Sequence, residues 1–410
     1  MSKITLPIPL KNPEFRFFLT TRFFLTLALQ MQAVIAGWHI YKLTQDPLSL
    51  GLIGLAEAIP ALSVALYAGH IADISSKRKI LLRCVGLLML CSLGLSMASS
   101  DLFVLGFGSS WSINAMYFFI FVSGFARGFY APASFSFITQ LVDKPQLVTA
   151  STLNSSIWQI AAIFGPAMGG VCYALVDTYT FVLVLLFTAI AAIALFKISP
   201  KPIADHTSGE SIVFRLKQGI SYVYHNKVIL SAISLDLFAV LFGGAVALLP
   251  VFANEVLMVG PQGLGLLKAA PSLGASITML WLSFRKPITK PGAALLVCVA
   301  AFGLCMIGFA LSTSFLLSLF LLFLSGGFDS VSVVIRGNIL QIQTPDHMRG
   351  RVSAVNTMFI GSSNEIGAFE SGLAAKLMGT VPSVVFGGCI TLLVVGFTSV
   401  KAKALLKFRY

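Results

Sequence analysis

The chain has 410 residues, 57% of them hydrophobic and only 10% charged, and its mean hydropathy is +0.91. A soluble domain carries about 25% charged residues, so no folded soluble protein could cover this much apolar surface, and lipid must be the solvent for much of it. The net charge of +13 would suggest nucleic acid in a soluble protein, but its placement along the chain reads as a topology signal, with the lipid bilayer and not nucleic acid as the partner.

Taken in chain order, apolar runs between polar breaks predict about twelve transmembrane helices, at 17–41, 48–71, 80–98, 113–140, 146–174, 178–196, 228–257, 263–284, 292–311, 315–342, 352–378 and 383–400. Lys11 and Arg16 precede the first run without a small-residue cleavage site, so that helix is expected to be retained. With the N-terminus inside, about 22 of the 28 Lys and Arg fall in or beside the cytoplasmic segments, and only Lys42 and Lys376 lie near outer loops. The expected placement is therefore a multi-pass inner-membrane protein with both termini cytoplasmic. The longest break, 197–227, holds Pro200, Pro202, Ser208 and Gly209 and then an amphipathic stretch, Ile212–Tyr224, expected to lie on the membrane surface. It divides the chain into an N-terminal half, 1–196, and a C-terminal half, 228–410.

The halves look related. Gly54, Glu57 and Pro60 in span two recur as Gly265, Lys268 and Pro271 in span eight. Ser151, Asn154, Gly165 and Gly170 in span five recur at one constant offset as Ser353, Asn356, Gly367 and Gly372 in span eleven. A duplication of six helices predicts an all-α membrane fold of two pseudo-symmetric six-helix bundles, with the substrate path between them.

Charges inside spans are costly and face a cavity or a partner. They fall in spans one (Arg22), two (Glu57), four (Arg127), seven (Asp236), eight (Lys268), ten (Asp329, Arg336) and eleven (Glu365, Glu370). Spans six, nine and twelve have none, and span three has only Arg83 near its end. The segregation predicts an inner set of helices around a polar cavity; structural pairing between helices is the alternative for any one residue. Glu57 and Lys268, opposite in sign at equivalent repeat positions, suggest an ion pair that closes an outer gate. The acids Glu57, Asp236, Asp329, Glu365 and Glu370 are candidates for proton coupling, Glu365 and Asp236 foremost because they lie nearest the span middles. Arg22, Lys268 and Arg336 are candidate counter-charges or anchors for an anionic substrate, with Gln30, Gln32, Trp38, Tyr130, Asn154 and Asn364 supplying hydrogen bonds and stacking.

The six cysteines, Cys84, Cys91, Cys172, Cys298, Cys305 and Cys389, sit in apolar stretches without metal spacing and read as packing residues. No metal or cofactor is expected. His39, His70, His206, His225 and His347 make no protease or zinc set, which argues against an intramembrane enzyme.

The loop after span two carries Gly69, Asp73, Lys77, Arg78 and Lys79, with Gly69 expected to permit close helix approach. It resembles the signature loop of the major facilitator superfamily, with Ile74 and Ser76 departing from the usual residues. Gly37 and Trp38 in span one, Arg127, Gly128 and Pro132 in span four, Leu249, Pro250 and Phe252 in span seven, and Thr344, Pro345, Asp346, Arg349 and Arg351 before span eleven are similar to the enterobactin-exporter-like branch of that superfamily. Gly165, Pro166, Gly169 and Gly170 in span five resemble its antiporter motif, a helix-packing element with a proline bend. The resemblance implies a proton-driven exporter of siderophores, drugs or other amphipathic compounds, a conformational role for the loop, and Arg127 as an arginine linked to proton coupling. It further implies a rocker-switch cycle with a small-molecule substrate and protons as partners of a monomer. Uptake or lysophospholipid flipping by the same fold, or a non-transporting sensor, are the alternatives.

Overall fold

A computed structural model describes residues 8–202, 212–243, 245–285, 288–345 and 348–409, less the side chains of Leu66, Asp73, Ile212, Val213 and Arg215. Ser208 and Gly209 of the linker, His206, and Asp346 and His347 of the turn before span eleven lie outside the described residues.

The described chain is helical throughout: α1 Pro13–Thr44, α2 Pro47–Ile74, α3 Lys77–Ala98, α4 Asp101–Phe107, α5 Ser109–Leu141, α6 Leu147–Val176, α7 Thr180–Phe196, α8 Ile212–His225, α9 Lys227–Gly243, α10 Leu249–Val251, α11 Gly260–Ser283, α12 Pro291–Leu311, α13 Phe315–Gln343, α14 Arg349–Met378, α15 Thr380–Lys401 and α16 Lys403–Lys407. Among the described residues nine stretches are long and apolar enough to cross a membrane, one of them, 144–196, holding both α6 and α7. Among the described residues the predicted spans fall largely on helix, and helix is what lipid demands, because it satisfies each backbone N–H and C=O within the segment. Pro60, Pro132, Pro166 and Pro271 sit inside helices, a placement that membrane-spanning helices tolerate. Leu102, Leu316 and Leu393 are all more than two-thirds exposed, a surface only a bilayer makes tolerable.

Two elements depart from the sequence reading. The seventh span is broken: α9 ends at Gly243, a 3-10 turn covers Ala245–Leu248, α10 carries Pro250, and Phe252–Val256 is a π-helical turn. Glycine weakens the helix there and Pro250 donates no N–H, so the register slips, with the Leu257 N–H donating to the Phe252 carbonyl at 2.8 Å. The second departure is α4, in what reads as a loop. Ser100 starts it by accepting from the Phe103 N–H at 3.3 Å, and Gly108 ends it at φ 87°.

The chain forms two compact units: Met1–Leu43 with Ala56–Ser208, and Thr44–Leu55 with Gly209–Tyr410. Within unit 1, α3 packs on α5 and α7; within unit 2, α12 packs on α13 and α15. These are corresponding helices of the repeat. Glycines set the matching crossings, as expected where van der Waals contact drives helix association. In unit 1 a methyl on Gly124 of α5 would collide with Pro60 of α2, and in unit 2 a methyl on Gly326 of α13 would collide with Pro271 of α11. Likewise Gly165 and Gly169 of α6 lie against Gln30 and Met31 of α1, while Gly367 of α14 lies against Leu241 of α9. Pro166, Gly169 and Gly170 are buried in the α6 face. Helix α8 docks on unit 2 through Gln218 with Arg351, and through the Tyr222 hydroxyl, which donates to the Gln343 carbonyl at 2.5 Å.

Candidate functional site

Each unit holds its own polar cluster. In unit 1, Arg127 of α5 pairs with Glu57 of α2. The glycines around Arg127 build that contact: a methyl on Gly128 would reach within 2.7 Å of Val64 and 3.0 Å of the Ala61 carbonyl, so only glycine lets α2 come this near. Within its own unit, Glu57 takes Arg127 as a cation. One turn along α5, Tyr130 is 7% exposed, and the Arg22 guanidinium of α1 lies over its ring, 5.9 Å from the centroid. The Arg22 Nε, the Tyr130 hydroxyl and the Asn154 carboxamide oxygen of α6 are buried without a hydrogen-bond partner.

Other candidates in unit 1 are placed as follows. Gln32 is buried and its carboxamide oxygen accepts from the Ser92 hydroxyl at 2.6 Å. Trp38 is buried, and its neighbour His39 shares a hydrogen bond of 2.9 Å with the Tyr173 hydroxyl. Gln30 lies half-buried against Gly165.

In unit 2, Asp236 of α9 pairs with Arg336 of α13, 6% and 3% exposed. Asp329 and Ser332 stand two turns and one turn before Arg336 on the same face of α13. Asp236, Asp329 and Ser332 line one small cavity of about 10 Å³ with Ala239, Val240, Cys298, Val299, Phe302 and Phe328, about the size of one water. The Ser332 hydroxyl is buried there without a partner. Asp329 thus opens on the same confined cavity as the Asp236 that Arg336 holds. Lys268 is half-buried on α11. Glu365 of α14 has its carboxylate near Gly54 of α2, Glu370 is half-buried, and Asn364 is exposed. Asp236 is thereby brought together with Asp329, whereas Glu365, its equal in the sequence reading, lies against α2.

The loop after α2 is only partly as expected. Lys77 is buried, Lys79 is exposed, and Arg78 donates to the Phe196 carbonyl at 2.8 Å while stacking on the Phe196 ring at 5.5 Å. A methyl on Gly69 would meet nothing within 4 Å, so this glycine permits no close helix approach; its surroundings are open. The Asp73 side chain lies outside the described residues.

One polar contact carried no sequence signal. Asp46 accepts from the Lys376 ammonium at 2.7 Å and from the Leu48 N–H at 3.0 Å, which fastens the start of α2 to the end of α14 within unit 2. Burial pushes the Asp46 carboxyl up, but these two donors outweigh it and hold the group below the usual carboxylate range. Gly372 of α14 lies against Gly51 of α2 beside it. Among the described residues no group of His, Cys, Asp and Glu is arranged to hold a metal.

Comparison with known proteins fits this geometry. Residues 5–407 match the family model described as transmembrane secretion effector, MFS_3. The chain is 24% identical over 387 residues to the enterobactin exporter EntS of Citrobacter koseri, covering 92% of this chain and 89% of that one. It is 23% identical over 393 residues to EntS of Salmonella typhimurium, covering 94% and 93%. Among solved structures, the nucleoside transporter NupG superposes with a TM-score of 0.73 at 14% identity, covering 97% of this chain and 100% of NupG. The xylose transporter XylE of E. coli superposes with a TM-score of 0.69 at 13% identity, covering 94% and 95%. The chain belongs to the transmembrane secretion effector family and is a multi-pass membrane transporter of the major facilitator superfamily.

Proposed function

We propose that this transporter exports a small amphipathic compound, siderophore- or drug-like, in exchange for protons, by rocker-switch alternating access of its two units. The observation that carries the reading is the unit 2 pocket. Arg336 neutralises one carboxylate, and its two-to-one ratio with Asp236 and Asp329 leaves one negative charge over. A proton on the second carboxylate removes that charge, and the membrane interior favours its removal. Asp236 is held by Arg336, so Asp329 is the group that gains an O–H bond from the outer side and loses it to the inner side in each cycle. Glu365 and Glu370 on α14 are a secondary acid pair. Arg127, held by Glu57, keeps the α2–α5 contact of unit 1 fixed while the proton site titrates.

The outward direction is supported by the relatives, which are named as enterobactin exporters. The basic residues support cytoplasmic termini in an inner membrane, and the protein works as a monomer in this scheme.

The test is flux in proteoliposomes, with enterobactin and lipophilic dyes as substrates and an imposed pH gradient. The native protein should drive export with the gradient. Asp329→Asn should abolish gradient-driven flux while leaving substrate counterflow intact, and Asp236→Asn should impair both. Gradient-driven flux unchanged in Asp329→Asn refutes the assignment of the proton site. Flux of a confirmed substrate that ignores the gradient refutes proton exchange, and gradient-driven inward flux refutes export.

A further inference from the structure

The cluster in unit 1 has a feature that proton exchange does not use. Arg127 and Arg336 each have a carboxylate at hand. Arg22 has none among the described residues; its neighbour is the face of Tyr130. It lies well inside α1, on a stretch flanked by Phe17, Phe18, Phe23 and Phe24. A guanidinium does not shed its proton in a protein, so this position is cationic whatever the pH. Two hydrogen-bonding groups at the spot, the Arg22 Nε and the Tyr130 hydroxyl, are buried and unused, whereas buried polar groups in folded proteins ordinarily have partners. Arg127 stands one turn from Tyr130 on the same face of α5. With Glu57 set against Arg127, the cluster keeps one net positive charge.

We infer that Arg22 and Tyr130 form a binding site for the anionic end of the transported compound, which makes the substrates amphipathic organic anions. A carboxylate or comparable oxyanion takes the guanidinium N–H groups and the Tyr130 O–H as donors. Its apolar body packs among aromatic and aliphatic side chains of the hydrophobic cluster to which Tyr130 belongs, which includes Leu25 and has Phe129 packed against it. The same chemistry could be met by an anionic lipid headgroup; the site belongs to a soluble amphipath because the Tyr130 hydroxyl that completes it is buried among core side chains. This inference rests on the transporter reading and names its substrate class. It is read by binding without a gradient, so its failure and the failure of proton coupling are separate results.

The test uses the full-length protein in phosphatidylcholine nanodiscs and three probes sharing one apolar body: 4-phenylbutyrate, 4-phenylbutanamide and 4-phenylbutylamine. Equilibrium dialysis should show the carboxylate bound at least tenfold more tightly than the amide or the amine. Arg22→Gln should bring the carboxylate down to the level of the amide, Arg22→Lys should keep part of the preference, and Tyr130→Phe should weaken the carboxylate several-fold. Asp46→Asn, which alters only the half-exposed pair with Lys376, should leave all three affinities unchanged. The site assignment fails if the native protein shows no carboxylate preference, or if Arg22→Gln or, should that variant not fold, Arg22→Lys binds the carboxylate as the native protein does. It also fails if phosphatidylglycerol in the nanodisc removes the preference, because Arg22 is then a lipid-headgroup contact.

Discussion

The two units share a fold and differ in the sign of their buried charge. Pro60 meets Gly124 in unit 1 as Pro271 meets Gly326 in unit 2, so the helix crossings correspond closely. Along those crossings Glu57 corresponds to Lys268, and Arg127 stands at the offset from Asp329 that separates Asn154 from Asn356. Both positions have inverted charge. Unit 1 has two guanidiniums and one carboxylate near Tyr130; unit 2 has two carboxylates on a water-sized cavity, one of them paired with Arg336. A duplicated scaffold keeps its packing because close helix contact depends on small residues, whereas a charge can change sign when its partner sits on a neighbouring helix. In the mechanism we propose, the inversion divides the labour: the cationic unit holds the anion and the anionic unit handles the proton.

The comparison breaks most severely at Arg336. Arg336→Gln leaves two carboxylates in a buried pocket without a cation, and losing one partner of a buried pair costs about 3–5 kcal/mol. Thermal unfolding in detergent should show a large drop, most of it recovered when Asp236→Asn is added. A drop that persists in the double variant would mean that Arg336 acts through packing and not charge. The corresponding change in unit 1, Glu57→Gln, should cost about 1 kcal/mol, because its pair with Arg127 keeps partial access to water. Equal losses in the two units would remove the asymmetry in burial.

The smallest effect is expected at Asp46. Its pair with Lys376 is half-exposed, so Asp46→Asn should cost only about 0.2–1 kcal/mol at neutral pH. The sign follows from the lowered carboxyl. A group depressed in the folded state stabilises above its unfolded value of about 3.9 and loses that contribution as the pH falls through its folded value. The stability gap between the native protein and Asp46→Asn should therefore stay level from about pH 8 to pH 5 and close below about pH 4. A gap that widens on acidification would contradict the ion pair.

Much of this was legible in the sequence. Lipid requires long apolar helices, so apolar runs marked where long helices lie, and the spacing of Asn154, Gly165 and Gly170 against Asn356, Gly367 and Gly372 pointed to the repeat. The buried charges were legible as a set because each is expensive. Their partners were not, since pairing depends on helix rotation and crossing. Glu57 takes Arg127 because Gly124 and Gly128 bring α2 against α5, and no spacing within either helix encodes that. The 3-10 turn at Ala245–Leu248 was hidden because its residues are as apolar as the helix before them. Gly69 misled for the opposite reason, since a glycine near the end of a helix, here α2, reads alike whether it is crowded or open.

The glycine crossings have a mechanical consequence. Where Gly169 faces the Met31 backbone, and Gly372 faces Gly51, the helices touch main chain to main chain with few side-chain knobs between them. Interlocked side chains resist sliding because each must leave its rotamer well before the next groove is reached. A glycine face has no rotamers to unlock, so a helix shift across it meets little friction. These seams are bearings as well as contacts.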